Sequence, residues 1–203
     1  MNYVIVSGSH RKESQSSKVS HYLAEQIPSI EPGSSVQILD LAGNPFPLWD
    51  ESIWESDPKW MALLKPYQEM LRKADGLVIV TPEWNGMVPA GLKNFFLVFS
   101  ARELGNKPAL IVSVSSSRGG TYPVAELRMS SYKNTRICYI PEHIIIRDVE
   151  KMLNPGNPPF SEDDGYIRKR IAFCLKVLAQ YTQALKGPRE SGALFSKEFP
   201  NGM

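Results

Sequence analysis

The run Leu77-Val78-Ile79-Val80 constrains this chain more than any other stretch, because it contains no polar alternation. A strand with one wet face alternates in character. A strand that is apolar at every position is covered on both faces, as in a parallel sheet held between helices. Short strands are expected at 3–7, 35–40, 76–81, 108–114 and 143–147. Helical spacing is expected between and after them, at about 16–27, 59–74, 89–103, 121–134 and 163–186. The third helix reads most clearly. Pro89 suits its first turn, and Leu92, Phe95, Phe96 and Phe99 share one face, as core residues would. Pro66 falls inside the second pattern and predicts a kink or a late start. Repeated βα units require right-handed crossovers, so the fold expected is an open, doubly wound α/β sheet with helices on both sides. Residues 154–161 read as a loop, 1–186 as one domain and 187–203 as a C-terminal tail.

Composition removes several classes of function. The chain of 203 residues is 42% apolar and 22% charged with a net charge of +2, which is ordinary for a soluble globular domain and too mild for a nucleic-acid surface. No apolar run nears the roughly 18 residues of a membrane span, and no basic-then-apolar leader opens the chain, so a cytoplasmic location is expected. Cys138 and Cys174 are 36 positions apart without a CxxC. Cys174 shares a helical face with Ile167, Ile171, Leu175, Leu178 and Leu185, the place of a buried structural thiol. His10, His21 and His143 show no metal-ligand spacing, so no metal site is expected.

Ligands of open α/β sheets bind outside the carboxyl ends of the strands, where the strand order switches. Three loops leave such ends here. The first, Val6 to Ser17, carries Ser9, Ser14, Gln15 and Ser16 as neutral donors and Arg11 as a charged fork. A helix N-terminus adds unpaired N–H groups and the positive end of its dipole. Ser14 or Ser16 would suffice as an N-cap; the surplus of hydroxyls suits a phosphate. Neither GxGxxG nor GxxxxGK[ST] is present. The second loop, within 81–96, sets Pro82, Gly86 and Pro89 beside Trp84. A rigid backbone beside an aromatic plane suits a flat heterocycle, although Trp84 alone would serve equally in a core or an interface. In the third, 113–123, Gly119-Gly120 permit close approach and Arg118 offers a cation, or the pair forms a plain turn with a surface arginine.

In this order the three loops resemble the NADPH-dependent FMN reductase family of the flavodoxin-like fold. Gly8, Ser9, Arg11, Ser14 and Ser16 match its phosphate loop, which reads approximately GSxRxxSxS. Thr81, Pro82, Glu83, Asn85, Gly86, Pro89, Leu92, Lys93 and Asn94 match its second motif, approximately TPEYNGSxPxxLKN, with Trp84 in place of the tyrosine. The likeness covers roughly residues 1–150. It implies a five-stranded parallel sheet of order 2-1-3-4-5 in a three-layer sandwich. It also implies FMN as cofactor: Ser9, Arg11, Gln15 and Ser16 on the phosphate, with Ser14 in the same loop. Pro82, Glu83, Trp84, Asn85 and Gly86 would lie along the isoalloxazine, and Ser115, Ser116, Ser117, Arg118, Gly119 and Gly120 near its pyrimidine end.

The resemblance further implies an enzyme that takes electrons from NADPH or NADH. It would pass them to a small-molecule acceptor such as a quinone, free flavin, azo compound or metal oxyanion. The alternative is an electron carrier of flavodoxin type; those are strongly acidic with a Thr-rich phosphate loop, unlike this slightly basic chain with Arg11. Glu83 is expected to orient its loop or a partner subunit rather than transfer protons. A homodimer or homotetramer is expected, partly from the family and partly from the loop 46–60. That loop holds Phe46, Leu48, Trp49, Ile53, Trp54 and Trp60, and it either meets a partner or folds back over its own sheet.

Overall fold

Every residue of Gly76–Pro82 and of Pro108–Val114 is buried, as strands apolar on both faces must be. They are β3 and β4 of a computed structural model that describes residues 1–156 and 158–202. The other strands are β1 (Asn2–Ser7), β2 (Ser35–Asp40) and β5 (Cys138–Ile146). The helices are α1 (Gln15–Ile30), α2 (Pro58–Lys73), α3 (Ala90–Val98), α4 (Ala101–Leu104), α5 (Thr121–Ser130) and α6 (Glu162–Glu190). All strand pairings are parallel, in the order β2-β1-β3-β4-β5. This is the flavodoxin-like topology expected from the sequence, and its order switches between β1 and β3.

Alternate residues along each strand serve opposite faces. Val4, Val6, Leu77, Ile79, Ala109 and Ile111 pack beneath α2, α3, α4 and α5. Tyr3, Ile5, Val78, Val80, Leu110 and Val112 pack beneath α1 and α6, where Cys174 is fully buried with a free thiol. Both faces of the sheet are therefore occupied by helices, and only the strand ends remain for a ligand.

Four elements differ in part from the sequence expectation. α2 does not start late: it begins at Pro58 behind the Asp57 cap and stays helical through Pro66. Pro66 is exposed, so the carbonyl its missing N–H leaves unpaired faces water. The helix expected over 89–103 is two helices, because Phe99 turns extended and Ser100 with Glu103 forms a capping box that starts α4. Strand β5 begins at Cys138 rather than 143. A register shift opposite Ala109–Ile111 absorbs Pro141, which an edge strand tolerates. Last, α6 continues past 187 to Glu190, and Arg189 in its final turn meets Asp75 Oδ1 at 3.4 Å.

Candidate functional site

Loop one leaves β1 through Gly8, whose N–H donates to Val80 O at 2.7 Å. A Cβ there would sit 2.6 Å from that oxygen and 2.7 Å from Leu92 Cδ2, so only glycine lets the chain pass so close to β3. Ser9 is buried, and its Oγ accepts from Arg11 N at 3.3 Å, which leaves the hydroxyl hydrogen free. Ser14 caps α1, its Oγ accepting from Ser17 N at 3.1 Å. Ser16 is buried, and among the described residues neither its Oγ nor Gln15 Oε1 has a partner. The first turn of α1 carries no acidic residue of its own; the nearest carboxylate contact is from Asp40, whose Oδ2 accepts from Ser17 Oγ at 3.3 Å. Arg11 is exposed and makes no ion pair among the described residues.

In loop two, Trp84 N–H donates to Met87 O at 3.1 Å and Met87 N–H donates back to Trp84 O at 2.9 Å. Between them Asn85 has φ 50° and Gly86 φ 72°, the signature of a primed two-residue turn. The Trp84 ring meets His10 of loop one edge-on, with centroids 4.6 Å apart. Two residues of the second motif act as struts. Lys93 Nζ lies 2.7 Å from Glu126 Oε1, and Glu126 Oε2 accepts from Val88 N at 2.8 Å. Asn94 donates to Pro47 O at 2.7 Å and accepts from Trp49 N at 2.8 Å, which fixes the start of the aromatic loop.

Loop three is tied to loop two by Glu83. Its Oε2 accepts from Gly120 N at 2.8 Å, and a Cβ on Gly119 would lie 2.4 Å from Oε1. Gly120 itself has φ 107°, and a Cβ there would strike Ile145 Cγ2 at 2.5 Å. Ser115 is buried and its Oγ accepts from Ser117 N at 3.2 Å, while Ser116, Ser117 and Arg118 are exposed. From the end of β5, Arg147 Nε donates to Arg118 O at 2.7 Å and to Gly119 O at 3.1 Å.

All three loops therefore meet at the carboxyl edge of β1, β3 and β4. His10, Glu126, Arg147 and Lys18 join them there without having been singled out in the sequence. Lys18 Nζ donates to Val149 O at 2.7 Å, to Met152 O at 2.9 Å and to Asn154 Oδ1 at 2.9 Å. Burial lowers its pKa, partly offset by Asp164 and Glu150. It thus pins the chain after β5 to the first turns of α1. No local pattern announces such a contact, since its partners lie 131 to 136 positions away. The aromatic loop divides: Phe46 and Trp60 are buried and Trp49 and Ile53 pack on the core, while Leu48 is 78% and Trp54 76% exposed.

The sequence model of a family described as NADPH-dependent FMN reductase matches residues 1–150. A NAD(P)H-dependent FMN reductase of Pseudomonas aeruginosa is 32% identical over 189 residues, covering 90% of this chain and 95% of that protein. A quinone reductase of Pseudomonas putida is 36% identical over 124 residues, which are 58% of this chain and 62% of its own length. Among solved structures, the flavoenzyme NAD(P)H:(acceptor) oxidoreductase of Paracoccus denitrificans superposes with a TM-score of 0.64 over 90% of this chain and 97% of that one. Its identity is 17%, a likeness of fold. None of the described helices is long and apolar enough to cross a membrane.

Proposed function

Because this chain belongs to the NADPH-dependent FMN reductase family, we propose that it binds FMN at the three loops and oxidises NADPH or NADH. The net reaction is NAD(P)H, a proton and a quinone giving NAD(P)⁺ and hydroquinone, or the corresponding reduction of an azo compound. One observation carries the reading. At the N-terminus of α1, Ser16 Oγ and Gln15 Oε1 are buried polar atoms without partners among the described residues, in the same loop as a buried Ser9 and an exposed Arg11 that makes no ion pair among them. Leaving such atoms unsatisfied costs about 1–3 kcal/mol each, and a phosphate with its ribityl hydroxyls would satisfy them. The residues present fit FMN.

Ser9, Arg11, Ser14, Gln15 and Ser16 would hold the phosphate end. Pro82, Trp84, Asn85 and Gly86 would lie along the ring, with Ser115 to Gly120 at its far side. Glu83 orients loop three, since its carboxylate is already committed to Gly120 N. When bound, FMN supplies the hydride acceptor, its N5, that no side chain offers. The chain's part is geometric: to leave one ring face open and to admit the nicotinamide C4 to about 3–3.5 Å. No side chain is needed as general acid or base.

The working unit proposed is a homodimer or homotetramer. Leu48 and Trp54 are exposed on the same loop whose Ile53 lines, with Met61 and Lys65, a groove of about 310 Å3, a surface suited to a second copy. Two free cysteines suit a reducing cytoplasm. Steady turnover tests the proposal. With FMN added, purified protein should oxidise NADPH or NADH continuously in the presence of 1,4-naphthoquinone. One round of reduction followed by arrest would make it an electron carrier instead.

A further inference from the structure

Tyr122 stands in the first turn of α5, two residues past Gly120, with 67% of its surface exposed. Its ring passes 3.9 Å from the position a Cβ on Gly86 would take. Both backbones beside it are fixed: Gly120 by Glu83, and Gly86 by the paired hydrogen bonds of Trp84 and Met87. Met87, which closes that turn, is 49% exposed. Trp84 opens the turn and engages His10 on the side of loop one. Tyr122 therefore meets the turn from the side of loop three, with most of its ring uncovered.

We propose that Tyr122, with the exposed Met87 that follows Gly86 in the turn, seats the planar ring of a quinone acceptor and so makes this protein selective for flat aromatic acceptors over inorganic ones. The inference rests on the FMN reading above and goes beyond it by assigning a residue to the acceptor. An aromatic ring gains from stacking or edge-on contact with another ring, and a thioether adapts its shape to the edge of one. An oxyanion or a metal complex gains nothing from either. Two rigid elements, a helix start and a primed turn, carry the contact, so a flat molecule meets a wall already in place. The same wall would border the opening between loops two and three, next to the surface where the reduced ring has to be reached.

The test uses FMN-loaded protein and the variants Tyr122→Ala and Tyr122→Phe; the high exposure of Tyr122 leaves the fold intact. Equilibrium dialysis of 1,4-naphthoquinone against the oxidised protein should show a dissociation constant raised about 2- to 12-fold in Tyr122→Ala. Tyr122→Phe should stay near the unmodified value, because the ring is retained. In turnover, the naphthoquinone KM of Tyr122→Ala should rise by the same factor with kcat unchanged. Ferricyanide reduction by NADPH, which needs no seat, should be unaltered, and light scattering should give an unchanged mass. An unaltered quinone dissociation constant overturns the inference. So does an equal loss with ferricyanide, which would assign the ring to donor or cofactor, and so does a changed mass, which would place it under a partner subunit. Unmodified protein that takes up no FMN overturns the underlying reading, and the acceptor seat with it.

Discussion

Removing the Glu83 carboxylate should loosen loop three and weaken FMN binding without unfolding the protein. The Gly120 N–H is buried and points at Glu83 Oε2, 2.8 Å away. A hydrogen bond to a charged group contributes about 1.5–3 kcal/mol. In Glu83→Ala the amide keeps its burial and loses its acceptor, so the full amount is at stake. If loop three must be closed to meet the ring, FMN affinity should fall about 10- to 150-fold. Glu83→Gln keeps an acceptor oxygen and loses only the charge, so its loss should stay near or below the lower end of that range. Two assays read different links of this argument. Hydrogen exchange should show the Gly120 amide deprotected in Glu83→Ala, while the amides of β3 and β4 keep their protection. Quenching of flavin fluorescence gives the FMN dissociation constant. A deprotected Gly120 with unaltered FMN affinity would remove loop three from the site. Unaltered exchange at Gly120 would refute the tether itself.

Other expectations follow from the same geometry. Arg11→Ala should weaken FMN about 10- to 150-fold and leave riboflavin, which lacks the phosphate, nearly unaffected; equal losses would remove Arg11 from the phosphate. Tryptophan fluorescence should fall as FMN binds, and Trp84→Ala should abolish most of that change despite Trp49, Trp54 and Trp60. Trp54→Asp should convert the oligomer to a 22.8 kDa monomer by light scattering. Unmodified protein that is monomeric yet turns over NADPH would sink the subunit proposal.

The parts of this fold that the sequence made legible are those set by local pattern. β2 and β4 fall at their expected bounds, 35–40 and 108–114, because turn-forming residues bracket both, Pro32-Gly33 before β2 and Gly105-Asn106 before β4. The pattern reveals β5 only from His143, because Pro141 and Glu142 break the apolar character before it. An edge strand tolerates that break and a buried central strand does not. The break after α3 left a readable trace, Ser100 three positions before Glu103, masked by the apolar periodicity across it. The three loops could be read because each combines turn residues with surplus polar groups. What joins them could not. Glu83 and Gly120 are 37 positions apart, Lys18 and Met152 are 134 apart, and only the crossover topology brings them together. The aromatic loop held two answers at once, since a density of Trp and Phe does not say which of them faces inward.

An anaerobic titration decides whether these loops hold FMN where NAD(P)H can reduce it. Protein incubated with FMN and freed of excess by desalting should keep a flavin absorption band. Under argon, that band should bleach as a stoichiometric amount of NADPH or NADH is added, and return when air or naphthoquinone is admitted. A colourless protein after desalting, or a bound flavin that neither nucleotide bleaches, would show that the loops do not serve this reaction.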